Sequence, residues 1–166
     1  KMKILIIGSN GQIGWELVRE AISAECDFVA LDRRQLDITD RFSLQKVIAQ
    51  HKPEIVINAA AYTAVDKAEE EPEIAFSVNR DAVGNLAEIC AGQCIALIQI
   101  STDYVFDGSK RQEYTEEDPA SALGVYGMSK WQGENLVRES LDRHIILRTS
   151  WVFGEHGSNF LKTIIN

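Results

Sequence analysis

Short apolar segments alternate with helix-like segments along the chain, and this alternation restricts the fold more than any other feature. The apolar segments lie at 3–8, 28–32, 54–61, 95–101 and 144–150. Helical periodicity is present between them, at 12–24, 40–52, 73–92 and 124–140. Apolar strands separated by helices predict a parallel sheet that is covered on both faces. We therefore predict an α/β fold with a doubly wound parallel sheet and right-handed crossovers.

A glycine-rich turn joins the first predicted strand to the first helix. The segment GSNGQIG contains Gly8, Gly11 and Gly14. In this position the three glycines allow a tight turn, close approach of a pyrophosphate and close packing of helix on strand. The N-terminus of the helix adds free N–H groups and a partial positive charge. The pattern predicts an NAD(P)-binding Rossmann domain, and the alternative is a glycine-rich turn without a ligand.

The end of the second strand carries opposing signals about the cofactor. Asp32 stands where a carboxylate accepts hydrogen bonds from an adenosine ribose, which favours NADH. Arg33 and Arg34 follow at once, and an arginine there can pair with the 2′-phosphate of NADPH. Solvated charges at a strand end are the alternative for both arginines. The sequence therefore predicts NADPH or NADH and leaves the preference open.

A candidate catalytic pair lies in the last predicted helix. Tyr126 and Lys130 are separated by four positions and so share a helix face. A lysine beside the phenol is expected to lower the pKa of the tyrosine, which suits proton transfer near neutral pH. Thr102 ends the fourth strand and is expected to hydrogen-bond a substrate oxygen or the phenol. These side chains meet where a dinucleotide fold presents its nicotinamide.

The whole chain resembles the extended short-chain dehydrogenase/reductase superfamily, and within it the dTDP-4-dehydrorhamnose reductase family. The segments that carry the resemblance are GSNGQIGWEL, LDRRQLDITD, INAAAYTAVDKAEEEPE, STDYVFDG, VYGMSKWQGE and RTSWVFG. The resemblance implies an NAD(P)H-dependent oxidoreductase that reduces the 4-keto group of a dTDP-linked 6-deoxy sugar. It also implies that a C-terminal substrate domain is largely absent, since family members continue well beyond position 166. We expect an NAD(P)-binding domain at 1–150 and the start of a substrate-binding region at 151–166.

The same resemblance implies roles for individual residues. Thr102, Tyr126 and Lys130 are the expected catalytic residues, and Thr102, Asp103 and Trp151 are expected to face the sugar nucleotide. The expected cofactor-binding residues are Gly8, Asn10, Gly11, Gln12, Ile13, Gly14, Asp32, Arg33, Asp37, Ile38, Ala60, Tyr62, Thr63, Tyr126 and Lys130.

Three further residues have competing interpretations. Trp151 is either a substrate contact or a core aromatic. Asn79 resembles an asparagine that links helix and sheet in this superfamily, so we expect a structural role. Glu16 matches a residue that joins a Mg²⁺ ion at a homodimer contact in some family members, and the alternative is a solvated helix glutamate.

Two rival functions remain open. The first is a nucleotide-sugar epimerase or dehydratase of the same fold; a dehydratase needs extra acid–base groups beside Thr102, which Asp103 could supply. The second is a non-catalytic NADP-binding regulatory subunit, because relatives of the reductase bind partners without sugar chemistry.

Composition excludes several classes of partner. A net charge of −8 argues against nucleic acid and anionic membranes as partners. His51, His144 and His156 share no spacing, so we expect no metal site formed by histidines.

Cys90 and Cys94 are expected to be small buried residues. Free cysteines and the lack of a signal peptide predict the cytoplasm.

Overall fold

The computed structural model describes residues 1–157 and 159–165, and the elements below refer to these residues. A parallel sheet is formed by β1 Lys3–Ile7, β2 Asp27–Leu31, β3 Ile55–Asn58, β4 Ala96–Thr102 and β5 His144–Thr149. The helices are α1 Gln12–Ser23, α2 Arg41–His51, α3 Val65–Ala68, α4 Pro72–Phe76, α5 Ala82–Gly92, α6 Val125–Ser140 and α7 Phe160–Ile165. The predicted strands and long helices are present, except that β3 ends at Asn58 and the predicted helix at 73–92 is interrupted.

The strand order β2-β1-β3-β4-β5 explains where a ligand can bind. The chain leaves β1 toward β2 on one side and returns to β3 on the other side. In such sheets a crevice opens beyond the carboxyl ends of the strands at this reversal. The glycine turn follows β1 directly and therefore lies at the crevice.

The hydrophobic core lies mainly on one face of the sheet. Leu5, Val56 and Leu97 of the strands pack with Leu44 of α2 and Leu86 of α5 in one buried cluster. Helix α1 contacts β1 and β2, and right-handed crossovers direct it to the opposite face. These helices on two faces confirm the doubly wound sheet.

The prediction of burial on both faces is wrong at strand β5. Ile146 packs against the core cluster, whereas its neighbours Ile145 and Leu147 point the other way and are 54% and 45% exposed. Because β5 is an edge strand and α1 covers only the β1–β2 end, this part of the opposite face lies open.

The interruption of the long helix is a π-helical turn, Ser77–Asp81, between α4 and α5. Asn79 is buried in this turn. Its side-chain amide donates to the Tyr62 carbonyl at 3.0 Å and to Ser129 Oγ at 3.0 Å, and its carbonyl accepts from Tyr62 N at 2.9 Å. Asn79 thus ties the loop after β3 to α6, in line with the structural role that we expected.

The cysteines differ in burial. Cys90 lies in the core, where desolvation raises the pKa of its thiol to about 12. The prediction that Cys94 is buried is wrong: it is exposed, with φ of 57°, in the turn that follows α5.

Within the described residues, no helix is both long and apolar enough to cross a bilayer.

Candidate cofactor and active site

The glycine turn is shaped by contacts that exclude side chains. Gly8 has φ of +85°, and a Cβ atom there would lie 2.6 Å from Ala60 N. A Cβ atom on Gly14 would lie 2.1 Å from the Gly8 carbonyl oxygen. Gly11 caps α1 without a side-chain hydrogen bond, so the first N–H groups of the helix remain available to an anion. The turn therefore fits a pyrophosphate.

Two adjoining cavities open along the carboxyl edge of the sheet. Their volumes are about 470 Å³ and about 480 Å³. Both are lined by Asn10, Gly11, Ala59 and Ala61, so the glycine turn lies between them. This arrangement suits a ligand made of two nucleotide-sized halves joined at a pyrophosphate.

The first cavity collects the residues expected on the adenosine side. Its predicted lining residues are Gly8, Asn10, Gly11, Arg33, Asp37, Ile38, Ala60 and Tyr62. Sequence reasoning missed Lys67 and Glu71, which also line it. The Tyr62 hydroxyl donates to Glu71 at 3.0 Å, and Lys67 Nζ lies 2.9 Å from the same carboxylate. The four-residue spacing of Lys67 and Glu71 in the sequence was the available signal, although the two residues lie on different elements, α3 and the N-cap of α4.

The two arginines that follow Asp32 have different surroundings. The Asp32 carboxylate accepts from Asn10 Nδ2 at 2.7 Å and from the backbone N and the guanidinium of Arg34. Burial alone would raise the pKa of Asp32, but these Arg34 interactions and the Gln35 N–H outweigh it and lower the pKa. Arg34 is thus held by Asp32, whereas Arg33 lines the cavity.

The second cavity brings together the residues expected around the reaction. Gln12, Ile13, Thr63, Thr102, Asp103, Tyr126, Lys130 and Trp151 all line it. They come from α1, the loop after β3, the ends of β4 and β5, and α6. Gly14, Asp32 and Arg34 lie outside both linings. Gly14 packs against Gly8, and the Asp32 carboxylate is occupied by its own chain.

The environment of Tyr126 corrects one expectation. Burial raises the pKa of Tyr126, and electrostatic interaction with Asp103 and Tyr104 acts in the same direction. Interaction with the Thr102 hydroxyl works against them without reversing the sign. The predicted lowering of this pKa by Lys130 is therefore wrong for the chain without cofactor. The phenol keeps its proton at neutral pH.

Lys130 is held by the sheet. Its Nζ atom donates to the Ile100 carbonyl at 2.8 Å, and the residue is 5% exposed. Desolvation lowers the pKa of Lys130 to about 8, although the carboxylate of Glu134 acts in the opposite direction. The ammonium is directed to the strand and not to the phenol of Tyr126, which explains the preceding correction.

The ends of β4 and β5 are joined at the cavity by Asp103. Its carboxylate accepts from Thr102 Oγ1 at 3.2 Å and from Ser150 Oγ at 2.6 Å. Thr102 Oγ1 also accepts from Tyr104 N at 3.2 Å and caps the 3₁₀ turn Asp103–Val105. The threonine hydroxyl is therefore oriented by two neighbours beside Tyr126.

Trp151 is a surface residue, so its alternative interpretation as a core aromatic is wrong. It has φ of 52°, is 72% exposed and packs edge-on against Phe160, with ring centroids 5.2 Å apart. Beyond it, His156 stacks on Trp15 of α1 and donates from Nε2 to the Asn10 carbonyl at 3.0 Å. The segment after β5 thus reaches the glycine turn, a contact that sequence reasoning missed.

Glu16 lies on α1 and pairs with Arg19 at 2.9 Å. Among residues 1–157 and 159–165, no group of three His, Cys, Asp or Glu side chains could hold a metal ion.

Sequence reasoning also missed Glu134, a buried carboxylate of α6 that contacts Ser101, Arg138 and Arg148. Its four-residue spacing from Lys130 was the available signal.

Comparison with known proteins gives a consistent family. The family described as RmlD substrate binding domain matches residues 2–166. The dTDP-4-dehydrorhamnose reductase of Sinorhizobium fredii is 44% identical over 164 residues, which are 99% of this chain and 55% of the relative. The structure of dTDP-4-dehydrorhamnose reductase from Bacillus anthracis in complex with NADP has a TM-score of 0.96 and 39% identity, covering 99% of this chain and 59% of that one.

More distant structures share the fold alone. The UDP-glucose 4-epimerase of Thermus thermophilus, in complex with NAD, has a TM-score of 0.86 at 22% identity, covering 94% of this chain and 58% of that one. This chain spans about 55% of the length of the Sinorhizobium relative. The family match and the similar reductases confirm the resemblance inferred from the sequence, and the chain belongs to the RmlD substrate binding domain family.

Proposed function

We propose that this chain supplies the cofactor site and the catalytic residues of a dTDP-4-dehydrorhamnose reductase. The reaction reduces the 4-keto group of dTDP-4-dehydro-L-rhamnose and gives dTDP-L-rhamnose. The observation that carries the proposal is the meeting of Thr102, Tyr126 and Lys130 in a cavity that adjoins the glycine turn. We further propose that residues 1–150 form the cofactor domain and that residues 151–166 begin the substrate-binding region.

When bound, a reduced nicotinamide supplies hydride to the keto carbon of the sugar. Tyr126 supplies the proton to the keto oxygen as that oxygen becomes an alcohol. The phenol holds at neutral pH the proton that it must donate, although its raised pKa makes it a weaker acid than an ordinary tyrosine. Thr102 Oγ1 accepts from Tyr104 N, and its single hydroxyl hydrogen, donated to Asp103 in the free chain, is proposed to turn to the same substrate oxygen.

Lys130 has two tasks in this proposal. It binds the ribose hydroxyls on the nicotinamide side of the cofactor, and its positive charge stabilises the phenolate that Tyr126 becomes after losing its proton. Its burial beside the Ile100 carbonyl keeps the ammonium in the second cavity before any ligand binds. Asp103 and Trp151, which line that cavity, are proposed to contact the sugar nucleotide.

The cofactor choice follows from the different surroundings of the two arginines. The cavity-lining Arg33 is proposed to bind the 2′-phosphate of NADPH, since Arg34 is engaged by Asp32. The Asp32 carboxylate, which is also occupied by Asn10, is then poorly available to a ribose hydroxyl. We therefore propose NADPH as the preferred cofactor and NADH as the weaker one.

Turnover tests the proposal directly. Residues 1–166, and a longer polypeptide with the C-terminal half that the relatives possess, are each mixed with NADPH or NADH and dTDP-4-dehydro-L-rhamnose. Loss of the reduced-cofactor absorbance is followed, and the Sinorhizobium fredii relative is the positive control. Oxidation that depends on the sugar supports the reductase. If cofactor binds but neither polypeptide turns over while the control does, the regulatory subunit becomes the better assignment.

The epimerase or dehydratase alternative has a separate signature. An epimerase retains its NAD through the reaction and needs no external reductant, whereas a reductase consumes reduced cofactor in proportion to product. Sugar conversion without net oxidation of NADPH or NADH would therefore favour this alternative. Asp103 is already engaged by Thr102 and Ser150, which argues against its service as a free acid–base group in a dehydratase.

Assembly and location are finer parts of the proposal. A Mg²⁺ ion at Glu16 requires ligands from a second copy of the chain, since the described residues lack a sufficient cluster. The pair between Glu16 and Arg19 favours the other interpretation, a helix-surface glutamate. Sedimentation of the chain with Mg²⁺ and with EDTA tests the metal-linked homodimer. The cytoplasm remains the predicted location.

A further inference from the structure

A buried carboxylate joins strand β5 to the two elements that carry the proposed catalytic residues, β4 and α6. Glu134 of α6 is 1% exposed. It accepts from Ser101 Oγ on β4 at 2.5 Å and from two nitrogens of Arg148 on β5, at 3.0 Å from Nε and 2.6 Å from Nη2. Arg138 Nη2, from the next turn of α6, donates at 2.9 Å. Burial alone would raise the pKa of Glu134, but these donors outweigh it and lower the pKa, so the carboxylate stays charged.

The partners of Glu134 are the neighbours of site residues. Ser101 precedes Thr102 on β4, and Arg148 lies on β5 shortly before Ser150, which donates to Asp103. Glu134 itself lies one helical turn after Lys130. Arg148 also stacks over Phe106, with its Cζ atom 4.9 Å from the ring centroid. One side chain thus connects the strand ends with the helix that holds the catalytic pair.

Stability alone does not account for such a cluster. A buried ion pair is often no more stabilising than apolar side chains of similar volume, because removing the charges from water is costly. Its bidentate geometry does restrict the relative positions of the groups that it joins. A residue of this kind is well suited to holding two strand ends in register with a helix.

We propose that Glu134 is a positioning residue: by holding Ser101 and Arg148, it sets the separation between Thr102 on β4 and the Tyr126–Lys130 pair on α6. This role rests on the proposed function and deepens it. Glu134 itself lines neither cavity, so it acts through residues that do, among them its partner Ser101. Its removal should disturb the nicotinamide side of the cofactor site and leave the adenosine side intact.

The two halves of the cofactor provide the test. The variants are Glu134→Gln and the control Glu139→Gln, which makes the same change of charge at an exposed site of the same helix. Dissociation constants are measured for NADPH and for adenosine 2′,5′-bisphosphate, which lacks the nicotinamide half. We expect Glu134→Gln to weaken NADPH binding about tenfold, which corresponds to the loss of roughly one charged hydrogen bond between a displaced Lys130 and the cofactor. The affinity for the bisphosphate should stay unchanged. Glu139→Gln should change neither.

A second readout needs no cofactor. Trace labelling of lysines with acetic anhydride across a pH series, read by mass spectrometry, reports the titration of Lys130. Glu134 is the charged group that acts on Lys130, Arg138 and Arg148 act on Glu134, and Asp103 and Tyr104 act on Tyr126. Loss of the Glu134 charge should move the labelling midpoint of Lys130 below its native position, which reports the electrostatic contact of the two side chains, while the affinity ratio of the two ligands reports positioning.

Each outcome decides the proposal. An unchanged ratio of the NADPH and bisphosphate affinities, whether both fall equally or neither falls, would overturn the positioning role while native NADPH binding still supports the cofactor site. If native protein binds neither ligand, the cofactor site is wrong and the positioning role falls with it. Should Glu134→Gln fail to fold, Glu134→Asp carries the affinity test, since it shortens the reach to Ser101 and Arg148 and keeps the charge.

Discussion

Lys130 donates a hydrogen bond to the main-chain carbonyl of Ile100, at 2.8 Å, across the contact between α6 and β4. Ile100 stands shortly before Thr102 on the strand, so the bond holds the ammonium at the carboxyl edge of the sheet. The same burial lowers the pKa of Lys130 to about 8. Lys130 and Thr102, two of the candidate catalytic residues, thereby line the same cavity before a ligand binds.

The buried Lys130 makes the stability of the chain depend on pH. In the unfolded chain a lysine keeps its proton to about pH 10.4, whereas in the folded chain Lys130 loses it near pH 8. Between these values the unfolded state binds more protons, so the free energy of unfolding should rise with pH, by about 3 kcal/mol at most. Two raised pKa values oppose this rise, that of the buried Cys90 thiol above about pH 8.5 and that of Tyr126 above about pH 10.

Urea unfolding of the cofactor-free chain between pH 7 and pH 10 measures this rise. Lys130→Met is the control: it removes this titrating group and leaves the Cys90 contribution, so the difference between the two curves isolates Lys130. A native curve no steeper than that of the variant would contradict the lowered pKa.

Replacing Tyr126 by Phe should abolish reduction and leave cofactor affinity nearly intact. The change removes the proton donor but keeps the ring, and general acid groups contribute about 10²–10⁴-fold to rate. Steady-state rates and NADPH titration are measured in the polypeptide that turns over. Tyr114→Phe, in the loop outside both cofactor cavities, is the matched control. An active Tyr126→Phe variant would rule out the assigned role.

Arg33→Ala should weaken NADPH more than NADH. Arg33 lines the first cavity, and a charged contact with phosphate is worth about 1.5–3 kcal/mol, or at least about tenfold in affinity. Arg34→Ala is the control, because Arg34 is paired with Asp32 and should leave the ratio of the two affinities unchanged. Equal losses of both cofactors in Arg33→Ala would show that Arg33 does not bind the 2′-phosphate.

Gly14→Ala should destabilise the glycine turn and impair cofactor binding. The added Cβ would lie 2.1 Å from the Gly8 carbonyl oxygen and 2.9 Å from Ser9 Cα, and backbone atoms cannot move away at little cost. Overpacking of this kind costs about 1–3 kcal/mol.

Gly92→Ala makes the same change at the end of α5, where no atom lies within 4 Å of the added Cβ. This control should be neutral or stabilising by up to about 1 kcal/mol. Thermal unfolding and NADPH titration of both variants measure the difference. A Gly14→Ala variant with native stability and affinity would contradict the close packing of the turn.

Much of the site could be predicted because its residues belong to local patterns. Gly8, Gly11 and Gly14 follow a strand directly, and Tyr126 and Lys130 share one helix face. Such patterns depend on backbone geometry over a few residues, which the sequence contains in full. Asn79 was also expected to be structural, but the π-helical turn that directs it to Tyr62 and Ser129 has no reliable local signal.

The sequence by itself determined the parallel α/β fold and the glycine turn, because both depend on periodicity or short spacing. It also led to the proposed catalytic set of Thr102, Tyr126 and Lys130, through a shared helix face, a strand end and the family resemblance. Only the tertiary structure decided how charges and burial act on that set. Burial raises the pKa of Tyr126, the Ile100 carbonyl holds Lys130, and Glu134 joins Ser101 to Arg148. These effects arise between segments distant in sequence, whose desolvation and partners exist only after the sheet and α6 have packed together.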